Sequence, residues 1–453
     1  MSFLCSISKN ANPANAEAEE EDGVEEDEDD EDEDDEEDKE NPGWYSISDI
    51  EQHYDMGPFL VIKKEVPEDH ADPDVEEAHH TTLETYSLYD IQTYQKFGLD
   101  ILKNESIVHH ACENSNLEFL NWWLDSGLEL KYDCQAIASA SKNGHIDVLN
   151  WFKSSGLELK YDGKAIKLAS NNGHLHVLNW FLDSGLELKY DEQAINTASA
   201  DGHLDVLNWW LNSGLELKYN CRAIEFASEN GHIAVLNWWL GSGLELKYDE
   251  RAIDKASADG HIAILNWWLN SGLKLKYDCK PINWASERGD LSILNWWLAS
   301  GLELKYTPRA ICMASNNGHL DVLNWWLASG LKLKYASEAI NWASENGHIH
   351  VLNWWLASGL ELKYDSRAID SSMLNHRIQA IEWWFQSGLP LKYTWSPETW
   401  ASEYGHISVL KLWAAAGLPF DSVEEAIALA SGHNQIEVLN WWREMGFDSN
   451  PKN

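Results

Sequence analysis

The sequence predicts an all-α fold, an α-solenoid of about twelve stacked helix-turn-helix repeats that follows a disordered acidic N-terminal tail. Three observations predict it. Glycines recur every 29 residues from Gly98 to Gly446. A second glycine column with the same period runs from Gly144 to Gly405 and is usually followed by histidine. Apolar residues at helical spacing lie between the glycines, and the 26 Trp residues of the chain are far more than a disordered sequence carries.

The acidic charge is concentrated near the N-terminus. Between residues 17 and 40, 20 of 24 residues are Asp or Glu, and Lys39 is the one basic residue. Such a block repels itself and contains too little apolar surface to fold. We therefore expect a disordered tail at 1–43, an irregular proline-containing linker at 44–80, and the repeat array at 81–449. Within the array, 81–105 and 423–449 are degenerate copies that we expect to be caps.

One repeat, read from Tyr161, is YDGKAIKLASNNGHLHVLNWFLDSGLELK. Asp162 is a good N-cap for a short first helix, and Gly173 ends that helix. A second helix follows, and Gly185 supplies the left-handed residue that stops it. The second helix is apolar over most of its circumference, more than one core face requires. Each repeat must therefore be buried between two neighbours, which is the definition of a solenoid.

The composition excludes several classes of function. The formal net charge of −42 would repel a phosphate backbone, so we do not expect nucleic-acid binding. No run of eighteen apolar residues is present, so no transmembrane span is expected. The sequence contains no P-loop, dinucleotide-binding fingerprint, nucleophile elbow or His-Glu-x-x-His motif, so we expect neither enzymatic activity nor a cofactor.

The histidines and cysteines also have structural interpretations. Histidines of the Gly-His pairs lie on repeats that are roughly 8–10 Å apart, too far for a shared zinc ion, so we expect turn stabilisation and no metal. Cys134, Cys221 and Cys279 occupy one register but are separated by two or three repeats, which is too far for a disulfide. This cysteine usage favours a reducing intracellular compartment, either cytoplasm or nucleus.

Three strings carry a family resemblance: AIKLASNNGHLHVLNWFLDSG from Ala165, AIDKASADGHIAILNWWLNSG from Ala252 and AINWASENGHIHVLNWWLASG from Ala339. They resemble the ankyrin repeat, in which a first helix with small residues is followed by Gly-His, an aliphatic second helix and a glycine. The repeat here is four residues shorter than the usual 33, lacks the Thr-Pro-Leu-His start and has Trp-Trp in place of Leu-Leu. The resemblance implies a protein-binding solenoid with shortened hairpin fingers.

Two columns of residues are the candidate partner-binding site. A largely basic column directly precedes the Ala-Ile pair of each first helix. A column of varying residues lies two positions after that Ala-Ile pair. The resemblance places both on the concave face. The candidate contact residues are Arg222, Phe226, Arg251, Lys280, Trp284, Arg309 and Trp342. Aromatic anchors ringed by cations are enriched at binding hot spots.

We expect a monomer that binds a protein partner, for which an acidic segment, including the chain's own tail, is a candidate. Charge reversal at Arg222, Arg251 and Arg309 should weaken binding and leave the melting temperature near that of the parent. The predicted function is a non-enzymatic interaction scaffold. An alternative is a histone-chaperone-like sequestering protein that captures basic partners through residues 17–40, and a third possibility is a substrate adaptor.

Overall fold

A computed structural model describes residues 4–8, 45–46, 50–52, 54, 59–64, 82–129 and 131–447. The acidic tract at 17–40 lies outside these residues. The expected disorder of that tract and the sequestering alternative therefore stay predictions. The chain divides into two compact units, residues 1–223 and 224–453.

The first unit begins with a four-stranded antiparallel sheet. Its strands are β1 (Leu4–Ser8), β2 (Tyr45–Ser46), β3 (Phe59–Lys64) and β4 (Thr82–Ser87), in the order β2-β1-β3-β4. Strand β1 pairs with β3 from Leu4 opposite Lys63 to Ser8 opposite Phe59. Leu60, Val61 and Ile62 of β3 are almost completely buried.

This sheet differs from the expectation for the N-terminal region. Strands β1 and β3 fall in the ranges that the sequence assigned to a tail and a linker. The physical reason is the apolar run Leu60-Val61-Ile62, which is buried where β3 pairs with a segment about fifty residues away. The boundaries of the predicted domains stay predictions, but these two segments are ordered strands.

The helices of the first unit are short and come in pairs. They are α1 (Ile91–Phe97), α2 (Ile107–Glu113), α3 (Leu117–Ser126), α4 (Cys134–Lys142), α5 (Ile146–Ser155), α6 (Gly163–Asn171), α7 (Leu175–Asp183), α8 (Gln193–Ala200) and α9 (Leu204–Asn212). Helix α10 (Arg222–Glu229) contains the boundary between the units.

The second unit continues the same alternation of first and second helices. Its helices are α11 (Ile233–Gly241), α12 (Arg251–Ala258), α13 (Ile262–Asn270), α14 (Lys280–Arg288), α15 (Leu291–Ala299), α16 (Arg309–Asn316), α17 (Leu320–Ala328), α18 (Glu338–Glu345), α19 (Ile349–Ala357), α20 (Arg367–Leu374), α21 (Ile378–Gln386), α22 (Pro397–Glu403), α23 (Ile407–Ala415), α24 (Val423–Gly432) and α25 (Ile436–Glu444).

The predicted caps and turns fix these helix ends. The Asp162 side chain accepts a hydrogen bond of 2.9 Å from the backbone N–H of Lys164 at the start of α6. Gly173 and Gly185 have φ angles of +73° and +75°, a conformation that residues with a Cβ adopt at a cost. The two glycine columns therefore end the two helices of each repeat.

Repeats are joined by hydrogen bonds from the Trp-Trp pair. Trp325 Nε1 donates to Asn295 Oδ1 of the preceding repeat at 2.9 Å, and buried Trp326 Nε1 donates to Ser286 Oγ at 3.1 Å. Tyr306 adds a bond in the other direction, from its hydroxyl to the carbonyl oxygen of Lys332 in the next repeat at 2.8 Å. Because the bonds recur at the period of the sequence, the predicted all-α solenoid is confirmed within each unit. Among the described helices, none has both the length and the apolar character that a membrane crossing requires.

Candidate protein-binding surface

The first helices form one layer of the solenoid and the second helices another. In the second unit, α14 packs closely on α16 and α16 on α18, whereas α15, α17 and α19 touch one another only sparsely. The first helices are therefore the more closely spaced layer, which places them on the inner side of a curved stack.

The varying column is the partly exposed part of the first helices from α10 to α20, whereas Trp400 of α22 is only 7% exposed. Around Trp284, the neighbours Ile282, Asn283, Ala285 and Ser286 are all buried, whereas the Trp284 ring is partly accessible to solvent. In the second unit the column reads Phe226, Lys255, Trp284, Met313, Trp342, Ser371 and Trp400. An aromatic residue thus occurs at every second repeat, on a framework that is otherwise nearly constant.

The basic column is engaged in ion pairs. Arg251 lies 2.8 Å from the Asp249 carboxylate and 3.2 Å from Glu225 of the preceding first helix. Lys280 repeats the pattern, at 2.8 Å from Asp278 and 3.7 Å from Asp254. Each cation therefore faces two carboxylates, and this edge of the layer has no net positive charge.

The remaining two cations are more exposed. Arg309 lies 3.5 Å from Glu287, and its side chain is 59% exposed. Thr307 takes the place of the aspartate that precedes Arg251 and Lys280, so Arg309 has one fewer carboxylate near it than those two cations. Arg222 is exposed and belongs to the first unit, where its backbone N–H donates to Asn220 Oδ1 at 3.0 Å. The other six candidate residues lie on consecutive first helices of the second unit.

The ion pairs correct one expectation about these cations. Glu225 is 6% exposed, so reversing the charge of Arg251 would place a third carboxylate beside Glu225 and Asp249. An unpaired charge in a buried position destabilises the fold. The triple reversal at Arg222, Arg251 and Arg309 is therefore expected to lower the melting temperature, contrary to the sequence-based prediction.

A buried polar column was missed by the sequence reasoning. It follows Ala-Ile or Pro-Ile directly and includes Asn196, Glu225, Asp254, Asn283, Asn341 and Asp370. Asn283 shows its function, because its Oδ1 accepts from Thr307 N–H at 3.2 Å and its Nδ2 donates to Thr307 Oγ1 at 3.0 Å. The column joins each first helix to the start of the next one. The sequence feature that could have predicted this column is a polar residue between the apolar Ile and the varying position of each first helix.

Asp254 is the member of this column with the most perturbed acidity. Its pKa is raised to about 7, chiefly by burial and also by the Asp278 carboxylate, while the Asp278 backbone N–H and the Lys280 ammonium partly oppose the rise. Burial likewise raises the pKa of Glu225 against the pull of Arg251. The inner layer therefore contains carboxyl groups that are costly to ionise, although they face cations.

A second feature lies in a repeat that departs from the common sequence. A cavity of about 380 Å³ opens between α20, α22 and α24. Its walls include Trp395, Trp400 and Tyr404, together with His376 and the carboxylates of Glu403 and Glu425. Trp400 is the varying-column residue of its repeat. The signal in the sequence was the replacement of the usual Asp-x-x-Ala-Ile segment by Thr394-Trp395-Ser396-Pro397-Glu398.

The Gly-His histidines bond between repeats. The ring Nε2 atoms of His145, His174 and His319 lie 2.8–2.9 Å from backbone carbonyl oxygens of the preceding repeat. No cluster of three His, Cys, Asp or Glu side chains that could hold a metal ion is found in the described residues. The described cysteines, including Cys134 and Cys279, are free thiols.

The paired helices, the glycine turns and the bonds between repeats define a helical repeat protein, an α-solenoid. No protein-family model matches the chain, and no curated protein matches it. The chain is similar to a solved structure, the crystal structure of the human ASB11 ankyrin repeat domain. The identity is 18%, the match covers 43% of this chain and 98% of that chain, and the TM-score is 0.35.

Proposed function

We propose that this protein is a non-enzymatic interaction scaffold that binds a partner protein on the first-helix face of residues 224–453. One observation carries the proposal. Side chains that vary between otherwise similar repeats occupy a half-buried column on this face, while the buried residues around them stay nearly constant. Packing does not dictate the identity of such residues, so their aromatic character is free to serve recognition.

The spacing of the aromatic residues suggests the shape of the partner. Adjacent packed helices are roughly 8–10 Å apart, so aromatic residues on alternate repeats, such as Trp284 and Trp342, are roughly 16–20 Å apart. An extended chain covers that distance with roughly five or six residues. We propose that the partner presents an extended segment with apolar anchors at this interval.

Charge is a weaker guide to the partner. The carboxylates around Arg251 and Lys280 offset both cations. The more exposed Arg309 faces Glu287 and is better placed than those two to meet an acidic group. The proposed contacts are therefore chiefly apolar. An acidic partner segment stays a prediction, as do the monomeric state and the intracellular location.

The test is affinity capture from a native extract with the full chain and a double variant, Trp284→Ala with Trp342→Ala. Removing two aromatic anchors should abolish retention of the specific partner, because a hot-spot residue contributes about 2 kcal/mol or more to binding. The matched control is Leu298→Ala with Leu356→Ala, which removes exposed apolar side chains from second helices of the same unit. Circular dichroism should show unchanged helix content in all three proteins.

Three results would contradict the proposal. The aromatic double variant could retain every protein that the parent retains. Alternatively, the leucine double variant could lose the same proteins, which would assign binding to the second-helix face. Capture of an enzyme substrate that is turned over by the purified chain would refute the non-enzymatic part.

A further inference from the structure

The cavity between α20, α22 and α24 has the composition of a site for an organic cation. Trp395 and Tyr404 are 48% and 45% exposed, and Trp400 is 7% exposed. The Trp400 and Tyr404 ring centroids are 5.9 Å apart, and His376 lies 4.8 Å from Tyr404 and 5.8 Å from Trp400. Several aromatic rings therefore converge on a cavity whose volume is in the range of known ligand pockets.

The cavity is lined by acidic side chains and not by basic Lys or Arg side chains among the described residues. Glu403 and Glu425 contribute two carboxylates, whereas the residues that line the cavity in the described part of the chain include no lysine or arginine. Glu403 Oε1 lies 3.5 Å from His433 Nε2. Glu425 is exposed and lies at the rim of the cavity. Aromatic faces attract cations through their quadrupoles, and carboxylates add a longer-range attraction.

His376 adds a ring to the cavity wall. It occupies the second glycine column with a φ angle of +51°, where most copies have glycine. A residue with a Cβ is strained in this conformation, and Ser115 and Asn434 share it at the same register, so the strain belongs to the turn and His376 contributes its ring to the cavity. His376 Nδ1 is also 3.4 Å from His406 Nε2, so the ring is held in the cavity wall. In addition, Ser396 Oγ at the cavity is buried and lacks a hydrogen-bond partner within the described residues.

We propose that this cavity binds a trimethylammonium group, supplied by an N-methylated lysine side chain of a partner protein. A methylated ammonium is a weakly hydrated cation, so aromatic faces replace its water shell at little cost, and the two carboxylates set the sign of its charge. The choice of a protein as the source rests on the proposed function. The choice of the cation rests on the cavity itself.

The test measures binding of a labelled, otherwise uncharged short peptide with one N-trimethyllysine to the full chain, by fluorescence anisotropy. Competitors are the same peptide with unmodified lysine, its neutral isostere with a tert-butyl group, and free choline. The trimethyllysine peptide should bind about 3- to 30-fold more tightly than the neutral isostere, because only the charged group gains the cation–π interaction. Choline should bind more weakly than the peptide.

Variants of the two exposed rings keep the test independent of folding. Trp395→Ala and Tyr404→Ala should each weaken the peptide at least about tenfold with little change in melting temperature. The exposed Leu356→Ala variant of α19 should bind like the parent. His376→Gly should raise the melting temperature and weaken the peptide, because it removes strain together with a ring of the wall.

Specific results would overturn the inference. Equal binding of the neutral isostere would show an apolar cleft instead of a cation site. Choline binding as tightly as the peptide would refute a protein source while leaving the cation site intact. Unchanged peptide binding by Trp395→Ala and Tyr404→Ala would remove the cavity from consideration. None of these outcomes depends on whether Trp284 and Trp342 bind a partner, so failure here is distinguishable from failure of the proposed function.

Discussion

Asp254 offers a quantitative test of how the first-helix layer is held together. Its side chain is 1% exposed, its Oδ1 accepts from Asp278 N–H at 3.3 Å, and its pKa is raised to about 7, chiefly by burial. Asn341 occupies the same position three repeats later, where its Nδ2 donates to Asp365 Oδ1 at 2.8 Å. Asp254→Asn should therefore replace a costly buried carboxyl group by an amide that the fold already accommodates.

The sign of the pH effect follows from the two pKa values. The folded pKa of about 7 exceeds the ordinary value of 3.8, so the folded state holds a proton that the unfolded state has lost. The stabilisation by this proton is complete below pH 4 and disappears as the pH rises through 7. For a folded pKa near 7, unfolding of the parent should become easier by about 1.4 kcal/mol between pH 6 and pH 8.5.

The amide variant should lose this dependence and gain stability at high pH. At pH 8.5 the ionised Asp254 costs at most about 4 kcal/mol, the free-energy equivalent of a pKa shift of roughly three. Denaturant melts followed by circular dichroism at pH 6, 7 and 8.5 would compare Asp254→Asn with the parent. The control is Asp259→Asn, because Asp259 is exposed and its nearest cation, Arg288, is 3.9 Å away.

The prediction concerns the difference between parent and variant, because a repeat array does not have to unfold in one step. If Asp254→Asn destabilises the chain at pH 8.5, the ionised carboxylate and Lys280 stabilise the fold more than burial destabilises it. If the parent and the variant share one pH dependence, Asp254 does not titrate near neutrality. Either result would refute the reasoning.

Two further stability predictions follow from the repeat. Trp326→Phe removes the buried hydrogen bond to Ser286 and part of the core volume, and should destabilise the chain by about 1–3 kcal/mol in denaturant melts. Phe181 occupies the same register in an earlier repeat. An unchanged unfolding midpoint would show that phenylalanine supports this repeat as well as tryptophan does. Ser115→Gly relieves a φ angle of +52° and should stabilise the chain by about 0.5–1 kcal/mol; a lower melting temperature would mean that the Ser115 hydroxyl bond to Asp147 outweighs the strain.

Much of the fold could be predicted because residues within each repeat determine where its helices begin, end and pack. The glycines mark the positions where the backbone needs positive φ, and the apolar spacing marks the buried faces. The N-terminal sheet could not be predicted in this way. Pairing of β1 with β3 joins segments about fifty residues apart, and a run such as Leu60-Val61-Ile62 does not state where its partner is.

The candidate site was only partly predictable for a related reason. The varying column was visible as variation among copies, and its half-buried position follows from its place in the first helix. The ion pairs of Arg251 and Lys280 depend on carboxylates both in their own repeat and in the preceding one. The partner in the same repeat is two residues away in the sequence and can be found by inspection. The partner in the preceding repeat comes close only when consecutive repeats stack.

The aromatic column and the cavity share one residue, and this connects the two proposals. Trp400 belongs to the alternating series that includes Trp284 and Trp342, and it also forms a wall of the cavity. An extended segment lying along the column would therefore reach the cavity roughly five or six residues beyond its anchor at Trp342. The carboxylates of Glu403 and Glu425 then favour a cationic residue at that point in the segment. Because the two interactions would be intramolecular once one has formed, a partner with both features would bind far more tightly than either feature alone predicts.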